Sequence, residues 1–271
     1  MKTGYGFTEF ETISEFKAWL NKQSVNRTVT RLQVHHMYLP DYSCWKTDNA
    51  LRRQNSIKSY HKNTNGWADI AQHFSVFPDG HIVTGRSLNS TPIGIKGWNT
   101  GAICIEIYGN FDKGKDSMNA AQKNAVIALY GELCKKFKLT PSTSTIRPHC
   151  WFTAGGTYLG DYNKSKSAKS CPGTNFMGYG NTKAAFVNSF YPAIKNYMSG
   201  NTTAPGATVG VYKIVVDSLN VRMGPGTNYN IVTTVKKGEA YTITEIKNGW
   251  GKLKSGAGWI NISTKYCQKI K

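Results

Sequence analysis

The sequence has 271 residues, a length that accommodates two domains and a substantial core in the larger one. Its hydrophobic fraction of 39% excludes an intrinsically disordered chain, and no stretch reaches the ~20 apolar residues that a membrane-spanning helix requires. The 34 Lys and Arg residues outnumber the 15 Asp and Glu residues, and the net charge of +19 predicts a polyanionic partner without identifying it.

The first 198 residues alternate between predicted helices and strands. Predicted helices cover residues 12–20, which begin with a capping box, residues 119–137 and residues 184–198, where Pro192 should introduce a kink. Residues 57–61 are predicted to end a further helix. Predicted strands cover residues 30–37 and 101–108, and a predicted hairpin covers residues 70–84. This alternation predicts an α/β domain over residues 1–198, with a mixed central sheet and flanking helices.

Residues 199–210 are small, polar and contain Gly and Pro, a composition that predicts a flexible linker. After it, short β-patterned segments are separated by Gly, Asn and Pro turns. The predicted strands are residues 211–216, 232–235, 241–246 and 258–262. Residues 211–271 are therefore predicted to form a small all-β barrel.

The six cysteines show no regular spacing and no C-x-x-C pair, so we expect no disulfide framework and mostly reduced thiols. One of them belongs to a candidate metal site. Side chains alternate along residues 31–36, which places His35 on the face opposite the apolar Leu32 and Val34. His149 follows a strand end, and Cys171 lies in a loop with Pro and Gly. Two imidazoles and one thiolate suit zinc and leave a fourth position open, although spacing alone also allows structural His and buried Cys residues.

Glu106 lies in the middle of an apolar strand, on the face opposite Ile103, Ile105 and Ile107. A carboxylate there costs free energy unless it is hydrogen-bonded or paired with a cation. Glu106 is therefore either a residue of an exposed sheet face or a general base whose pKa is raised beside a metal site.

Together these segments resemble the zinc N-acetylmuramoyl-L-alanine amidases, the type related to phage lysozyme-like amidases and peptidoglycan recognition proteins. The resemblance covers about residues 5–198 and implies the α/β fold predicted above. It rests on His35, residues 66–74, 78–80, 85–86 and 105–112, His149, and residues 169–173.

The resemblance implies that His35, His149 and Cys171 bind one zinc ion per chain, and that Lys169 stabilises the oxyanion. Some members carry a catalytic Tyr where this chain has Gln72, whose amide is not a general base. Other members use a Glu from the later strand, which corresponds here to Glu106. We therefore predict Glu106 as the general base. The predicted substrate-binding residues are Gln72, Trp67 and Arg86.

The tail resembles bacterial SH3 (SH3b) domains, which bind cell walls, through residues 218–229, 249–253 and 258–260. Four aromatic residues are candidates for lining a peptide groove, although at least two of them should belong to the core of so small a barrel. They are Tyr229, Tyr241, Trp250 and Trp259.

The amidase resemblance implies an enzyme that cleaves the amide bond between N-acetylmuramic acid and L-alanine in bacterial peptidoglycan, and the SH3b resemblance implies that the tail binds the cell wall. The expected partners are peptidoglycan and anionic cell-wall polymers, with no nucleic acid and no membrane insertion, and we assume a monomer. The N-terminal residues lack the pattern of a signal peptide. We expect synthesis in a bacterial cytoplasm and release through a phage-encoded membrane hole, as for an endolysin, with an autolysin exported by another route as the alternative.

Three other functions are compatible with parts of the pattern. Proteins of this fold can bind peptidoglycan without catalysis, although a complete His/His/Cys set argues against that. A Cys–His peptidase would use Cys171 as nucleophile and His149 as base, and such an enzyme would survive chelation. Nucleic-acid binding would need basic and aromatic residues ordered on one face, and no such motif is present.

Overall fold

A computed structural model of the protein describes residues 1–46, 49–200, 209–227, 229–247 and 249–271. The chain divides into two compact units, Met1–Lys195 and Asn196–Lys271. Most of the predicted linker, residues 201–208, lies outside the described residues. Within the described ranges, no helix combines the length and apolar character needed to cross a membrane.

The first unit is an α/β domain built on one seven-stranded mixed sheet, which confirms the predicted fold class. Its strands are β1 (Lys2–Gly4), β2 (Phe7–Phe10), β3 (Arg31–His36), β4 (Phe74–Val76), β5 (Ile82–Thr84), β6 (Ala102–Ile107) and β7 (Ile146–Pro148). Their order across the sheet is β1-β2-β5-β4-β6-β3-β7. Strand β3 runs parallel to both of its neighbours, β6 and β7, so the carboxyl ends of these three strands lie together.

Helices accompany this sheet: α1 (Ile13–Asn21), α2 (Ala50–Asn63), α3 (Ala120–Phe137), α4 (Lys183–Ala185) and α5 (Tyr191–Met198). The predicted capping box starts α1, because the Thr12 side chain accepts from the backbone of Glu15 and the Glu15 side chain accepts in return. A π-helical turn, Phe186–Phe190, lies just before α5, whose second residue is Pro192. That wider turn accommodates a residue that has no N–H to donate.

Helix α2 is much longer than predicted from the sequence, which indicated only its end at residues 57–61. It begins after Asn49, whose side chain forms no capping hydrogen bond. Its only buried residues are Ala50 and Gln54, so the helix lacks the apolar stripe by which sequence periodicity is detected.

The core of the first unit encloses an uncharged histidine, His73, whose side chain is only 1% exposed. Its Nδ1 accepts from the backbone N–H of Cys104, and its Nε2 donates to the carbonyl of Ser90, both at 3.0 Å. Burial lowers the pKa of His73 to about 3. A proton therefore binds this imidazole far more readily in the unfolded chain, where its pKa is ~6.5.

We expect His73 to make the domain acid-sensitive. Stability is fully present above pH ~6.5 and falls below it, because only the unfolded chain takes up the proton until pH ~3. From this residue alone, the free energy of unfolding should drop by about 2 kcal/mol between pH 7 and pH 5. Urea unfolding at both pH values measures this drop. His73→Gln, which has no titratable proton, should show a correspondingly smaller drop, and equal pH dependence in the two proteins would contradict the assignment.

The second unit is all-β, with seven antiparallel strands. They are β8 (Gly210–Ile214), β9 (Ser218–Arg222), β10 (Ile231–Lys236), β11 (Ala240–Lys247), β12 (Trp250–Leu253), β13 (Trp259–Asn261) and β14 (Cys267–Lys269), in the order β10-β9-β13-β12-β11-β8-β14. Strand β12 contains Gly251, where a Cβ atom would approach the Ile243 side chain to 2.8 Å. Such a close approach requires glycine, and it obscures the strand pattern in the sequence.

Candidate active site

The carboxyl ends of β3, β6 and β7 bring the predicted site residues together. His35 on β3 stands opposite Glu106 on β6 in the parallel register. His149 begins the 3₁₀ turn His149–Trp151 directly after β7. Cys171 arrives from a later loop, where its carbonyl accepts from Cys150 N at 2.8 Å. The fold therefore places four side chains from distant parts of the sequence at one edge of the sheet.

Three of these side chains form a cluster that could hold a metal ion. One ligand atom each from His35, His149 and Cys171 lies within 4.8 Å of the other two. The Cys171 Sγ is 3.7 Å from the His35 Nδ1, and the two imidazole centroids are 5.0 Å apart. Among the residues that the structure describes, this is the one group of three or more potential ligands that meets this criterion.

Burial keeps this cluster uncharged when no cation is bound. It lowers the pKa of His149 to about 4 and that of His35 well below its ordinary value, with further lowering from the Lys169 charge. Burial also raises the pKa of the Cys171 thiol well above its usual range. Neutral imidazoles keep a lone pair for a metal, and a bound cation would favour loss of the thiol proton.

Glu106 lies beside this cluster with one oxygen unused. Its Oε1 is 3.8 Å from the His35 Nδ1. Its Oε2 is buried and has no hydrogen-bond partner among the described residues. Burial raises the pKa of Glu106 to about 8, and the nearby Lys169 charge opposes part of that rise. A carboxylate with a free, desolvated oxygen is suited to accept a proton from a molecule bound next to it.

A cavity of about 1030 Å³ opens onto this group of residues. Its lining includes the three potential ligands together with Glu106 and Lys169. The exposed aromatic residues Tyr38 and Tyr60 also contribute to the wall. This volume accommodates a ligand of several chemical groups, in the range usual for small-molecule sites.

Hydrogen bonds to Asp112 hold the loop that carries Lys169 and Cys171. The Ser170 hydroxyl donates to Asp112 Oδ2 at 2.8 Å, and the Thr174 N–H donates to Oδ1 at 2.9 Å. Residues 105–112 belong to the segments that carry the family resemblance, but no role was predicted for Asp112. The structure shows that this carboxylate fixes the loop on both sides of Cys171, while the Lys169 side chain itself stays exposed.

Of the predicted substrate-binding residues, the structure places Trp67 and Gln72 in the cavity wall. Gln72 is fully buried, and its Nε2 donates to the Ser75 hydroxyl at 2.9 Å. Arg86 is not among the residues that line this cavity. Its guanidinium instead donates to the carbonyl oxygens of Asp69, Ile70 and Thr91. Arg86 thus holds neighbouring loops together, a role that the sequence does not distinguish from that of a free cation.

The four aromatic residues predicted for the tail differ in exposure. Trp250 and Trp259 are 8% and 9% exposed and lie on the paired strands β12 and β13. Tyr241 is half-buried against the barrel core, whereas Tyr229 is 42% exposed. Two of the four thus belong largely to the interior, and Tyr229 offers the most accessible ring.

Sequence reasoning missed one buried polar residue at the site, Gln33. It is fully buried on β3, on the same face as His35, and its Oε1 lies 3.3 Å from the His35 Nε2. The signal was present in the strand alternation, which placed Gln33 beside His35 on the polar face.

Comparison with known proteins gives two family matches. A family model described as N-acetylmuramoyl-L-alanine amidase matches residues 25–174. A second model, described as bacterial SH3 domain, matches residues 217–266. These matches cover most of the unit that carries the cavity and most of the all-β unit.

Curated relatives include a human N-acetylmuramoyl-L-alanine amidase, 32% identical over 80 residues, which are 30% of this chain and 14% of that protein. The peptidoglycan-recognition protein SC2 of Drosophila melanogaster is 24% identical over 155 residues, which are 57% of this chain and 74% of the relative. The chain therefore spans only a small part of the human protein and about three quarters of the insect one.

Similar solved structures include Drosophila PGRP-LB, with 19% identity, a TM-score of 0.46, and coverage of 62% of this chain and 84% of that one. An endolysin N-acetylmuramoyl-L-alanine amidase, LysCS from Clostridium intestinale, has 27% identity and a TM-score of 0.39, and covers 55% of this chain and 78% of its own.

Proposed function

We infer the activity of this chain from its family: the chain belongs to the N-acetylmuramoyl-L-alanine amidase family, whose model matches residues 25–174, or 150 of 271 residues. We propose that it hydrolyses the amide bond between N-acetylmuramic acid and L-alanine in peptidoglycan, with one zinc ion held by His35, His149 and Cys171. The observation that carries this proposal is the convergence of these three donors with the unpartnered carboxylate of Glu106 in one cavity.

The donor set suits zinc. A tetrahedral zinc ion with usual Zn–S and Zn–N bond lengths separates a thiolate sulfur from an imidazole nitrogen by roughly 3.6 Å. The Cys171 Sγ and the His35 Nδ1 are 3.7 Å apart. Three protein ligands also leave a position open, as catalytic rather than structural zinc sites do.

The chemistry divides between the ion and the chain. When bound, zinc would supply Lewis-acid polarisation of the scissile carbonyl and activation of water. Glu106 accepts the proton of the attacking water and returns it to the leaving amine nitrogen, because its Oε2 faces no competing donor among the described residues. The Lys169 ammonium, on the cavity wall, counters the negative charge that develops on the carbonyl oxygen.

The buried state of Cys171 weighs against a Cys–His peptidase. A nucleophilic cysteine needs a thiolate, which a lowered pKa supplies. Here burial raises the pKa of Cys171, and the backbone N–H of His36, which donates to its Sγ at 3.3 Å, offsets only part of that rise. The complete ligand set and the free Glu106 oxygen likewise favour catalysis over binding alone.

Mass spectrometry of a cell-wall digest tests the proposed bond directly. The zinc-loaded protein should release stem peptides that carry a free L-alanine amine and leave the glycan strands intact. New reducing ends on the glycan, or new amines only within the peptides, would assign the protein a different bond. A wall that is bound but not cleaved would support the non-catalytic alternative. In intact cells with accessible peptidoglycan, we expect the same cleavage to cause lysis.

We expect Lys169 to act in the transition state and Lys166 to be its matched control. Both side chains are exposed, but only Lys169 is among the cavity-lining residues. Lys169→Ala should keep its zinc and lose kcat on a soluble muramyl-peptide at every ionic strength, with KM nearly unchanged. Lys166→Ala should at most weaken attraction to the wall at low salt. Equal kinetics of the two variants would reduce Lys169 to part of the basic surface.

For the second unit we propose cell-wall binding, based on its match to the bacterial SH3 domain. Residues 205–271 should co-sediment with intact walls without cleaving them, and residues 1–200 should cleave dispersed wall fragments but bind intact walls more weakly. Failure of the tail to sediment with walls that the full chain cleaves would show that binding resides in the first unit.

A further inference from the structure

We propose that Gln33 is a positioning residue that holds His35 in the tautomer whose Nδ1 is free to bind a metal. The tautomer follows from hydrogen bonds alone, whereas its consequence for zinc rests on the proposed function.

The chain of contacts starts at Asn99. Its side-chain oxygen lies 3.0 Å from the backbone nitrogens of both Gly94 and Ile95. Backbone N–H groups only donate, so the atom between them must be an acceptor. This fixes the orientation of the Asn99 amide, with Oδ1 towards the two nitrogens.

Asn99 then fixes the orientation of Gln33. One end of the Gln33 amide lies 3.0 Å from Asn99 Oδ1 and 3.0 Å from the carbonyl oxygen of Trp98. Two acceptors require a donor, so this end is the NH₂ group. The opposite end is therefore the oxygen, and this oxygen lies 3.3 Å from the His35 Nε2.

An amide oxygen only accepts, so the His35 Nε2 must carry the proton and donate it to Gln33. In a neutral imidazole, the other nitrogen then has a free lone pair. That nitrogen, Nδ1, is the atom 3.7 Å from the Cys171 Sγ. The opposite tautomer would place an N–H at Nδ1, where a metal ligand needs a lone pair. It would also leave Nε2 without a proton, so that two acceptors, Nε2 and the Gln33 oxygen, would face each other without a hydrogen between them.

Gln33 has little freedom to reorient. Its side chain is fully buried, and its backbone carbonyl accepts from the Tyr130 hydroxyl at 2.8 Å. Position 94 is glycine, and any side chain there would collide with Gln33 Oε1. The amide is therefore packed in place before any metal arrives, which reduces the cost of ordering His35 on binding.

The test uses full-length protein and two readouts, the His35 tautomer in the zinc-free state from imidazole ¹⁵N shifts, and zinc affinity from chelator competition. Gln33→Leu removes the acceptor. Gln54→Leu is the matched control, because Gln54 is also fully buried and its Nε2 also donates to a carbonyl, that of Thr84. Wild type and Gln54→Leu should show His35 protonated at Nε2. Gln33→Leu should show a tautomer mixture and bind zinc about 10- to 100-fold more weakly.

A second pair of variants keeps the test informative if Gln33→Leu does not fold. Asn99→Asp preserves a side-chain oxygen that accepts from the Gln33 amide, whereas Asn99→Leu removes it and leaves the Trp98 carbonyl as the remaining acceptor, so only the second should shift the tautomer. A wild-type His35 protonated at Nδ1, or an unchanged tautomer in every folded Gln33 and Asn99 variant, would overturn the proposal. A shifted tautomer in a protein that cleaves no peptidoglycan would uphold Gln33 and reject the amidase assignment.

Discussion

Glu106→Gln is expected to retain its zinc and its fold while turnover on a soluble muramyl-peptide falls by about 10²–10⁴-fold, the usual contribution of a general base. The substitution conserves size and shape, so the side chain should still fit its half-buried position on β6. What it removes is the ability to take a proton, since an amide oxygen at neutral pH does not act as a base.

The surroundings of Glu106 indicate that this substitution does not destabilise the fold. Glu106 Oε2 has no hydrogen-bond partner among the described residues, so an NH₂ group there breaks no existing bond. Burial raises the pKa of Glu106 because the charged carboxylate loses hydration there. The neutral amide of glutamine avoids this desolvation cost. The stability of Glu106→Gln should therefore equal or exceed that of the wild type in thermal unfolding.

Two measurements and one control decide the Glu106 prediction. Turnover and zinc content are measured on the same preparation, which separates loss of the base from loss of the metal. Glu132→Gln is the control, because Glu132 is a buried carboxylate that lies on α3 outside the cavity lining. Near-normal turnover of Glu106→Gln would move the role of base to another group.

Strand alternation explains how much of the site could be predicted. Along β3 the period of two put His35 on the polar face, and the parallel register with β6 then set it opposite Glu106. The resemblance connected these two residues to His149 and Cys171, which lie more than 100 positions away from His35. Local sequence patterns do not reveal contacts between residues that are so far apart in the chain.

Other features depended on tertiary contacts that the sequence does not display. Arg86 was predicted to bind substrate, and the sequence gives no sign that its guanidinium donates to three backbone carbonyls. Gln33 was overlooked because an amide has no charge, although its hydrogen bonds orient a potential ligand. Helix α2 has no apolar stripe, and the short strands β1 and β2 have too few residues to show a period. In each case packing against distant segments decides the outcome.

His149→Ala is expected to lose most of its zinc and essentially all of its activity. Three protein donors form the cluster, and removal of one leaves His35 and Cys171 with two open positions. Zinc affinity should fall by more than the ~10- to 100-fold expected for loss of an outer hydrogen-bond partner. Elemental analysis should find one zinc per wild-type chain and far less in the variant. His81→Gln is the control, because His81 pairs with Glu9 and is not among the cavity-lining residues.

Loss of activity in His149→Ala alone would not separate a zinc amidase from a Cys–His peptidase, since both require this residue. Chelation does separate them. Exhaustive chelation should abolish lysis by the wild type, and added zinc should restore it, whereas His149→Ala should respond to neither treatment. Full lytic activity after chelation, together with inactivation by thiol alkylation, would instead make Cys171 a nucleophile. The buried thiol of Cys171, with its raised pKa, argues for the first result, because a bound cation would favour the thiolate that burial disfavours.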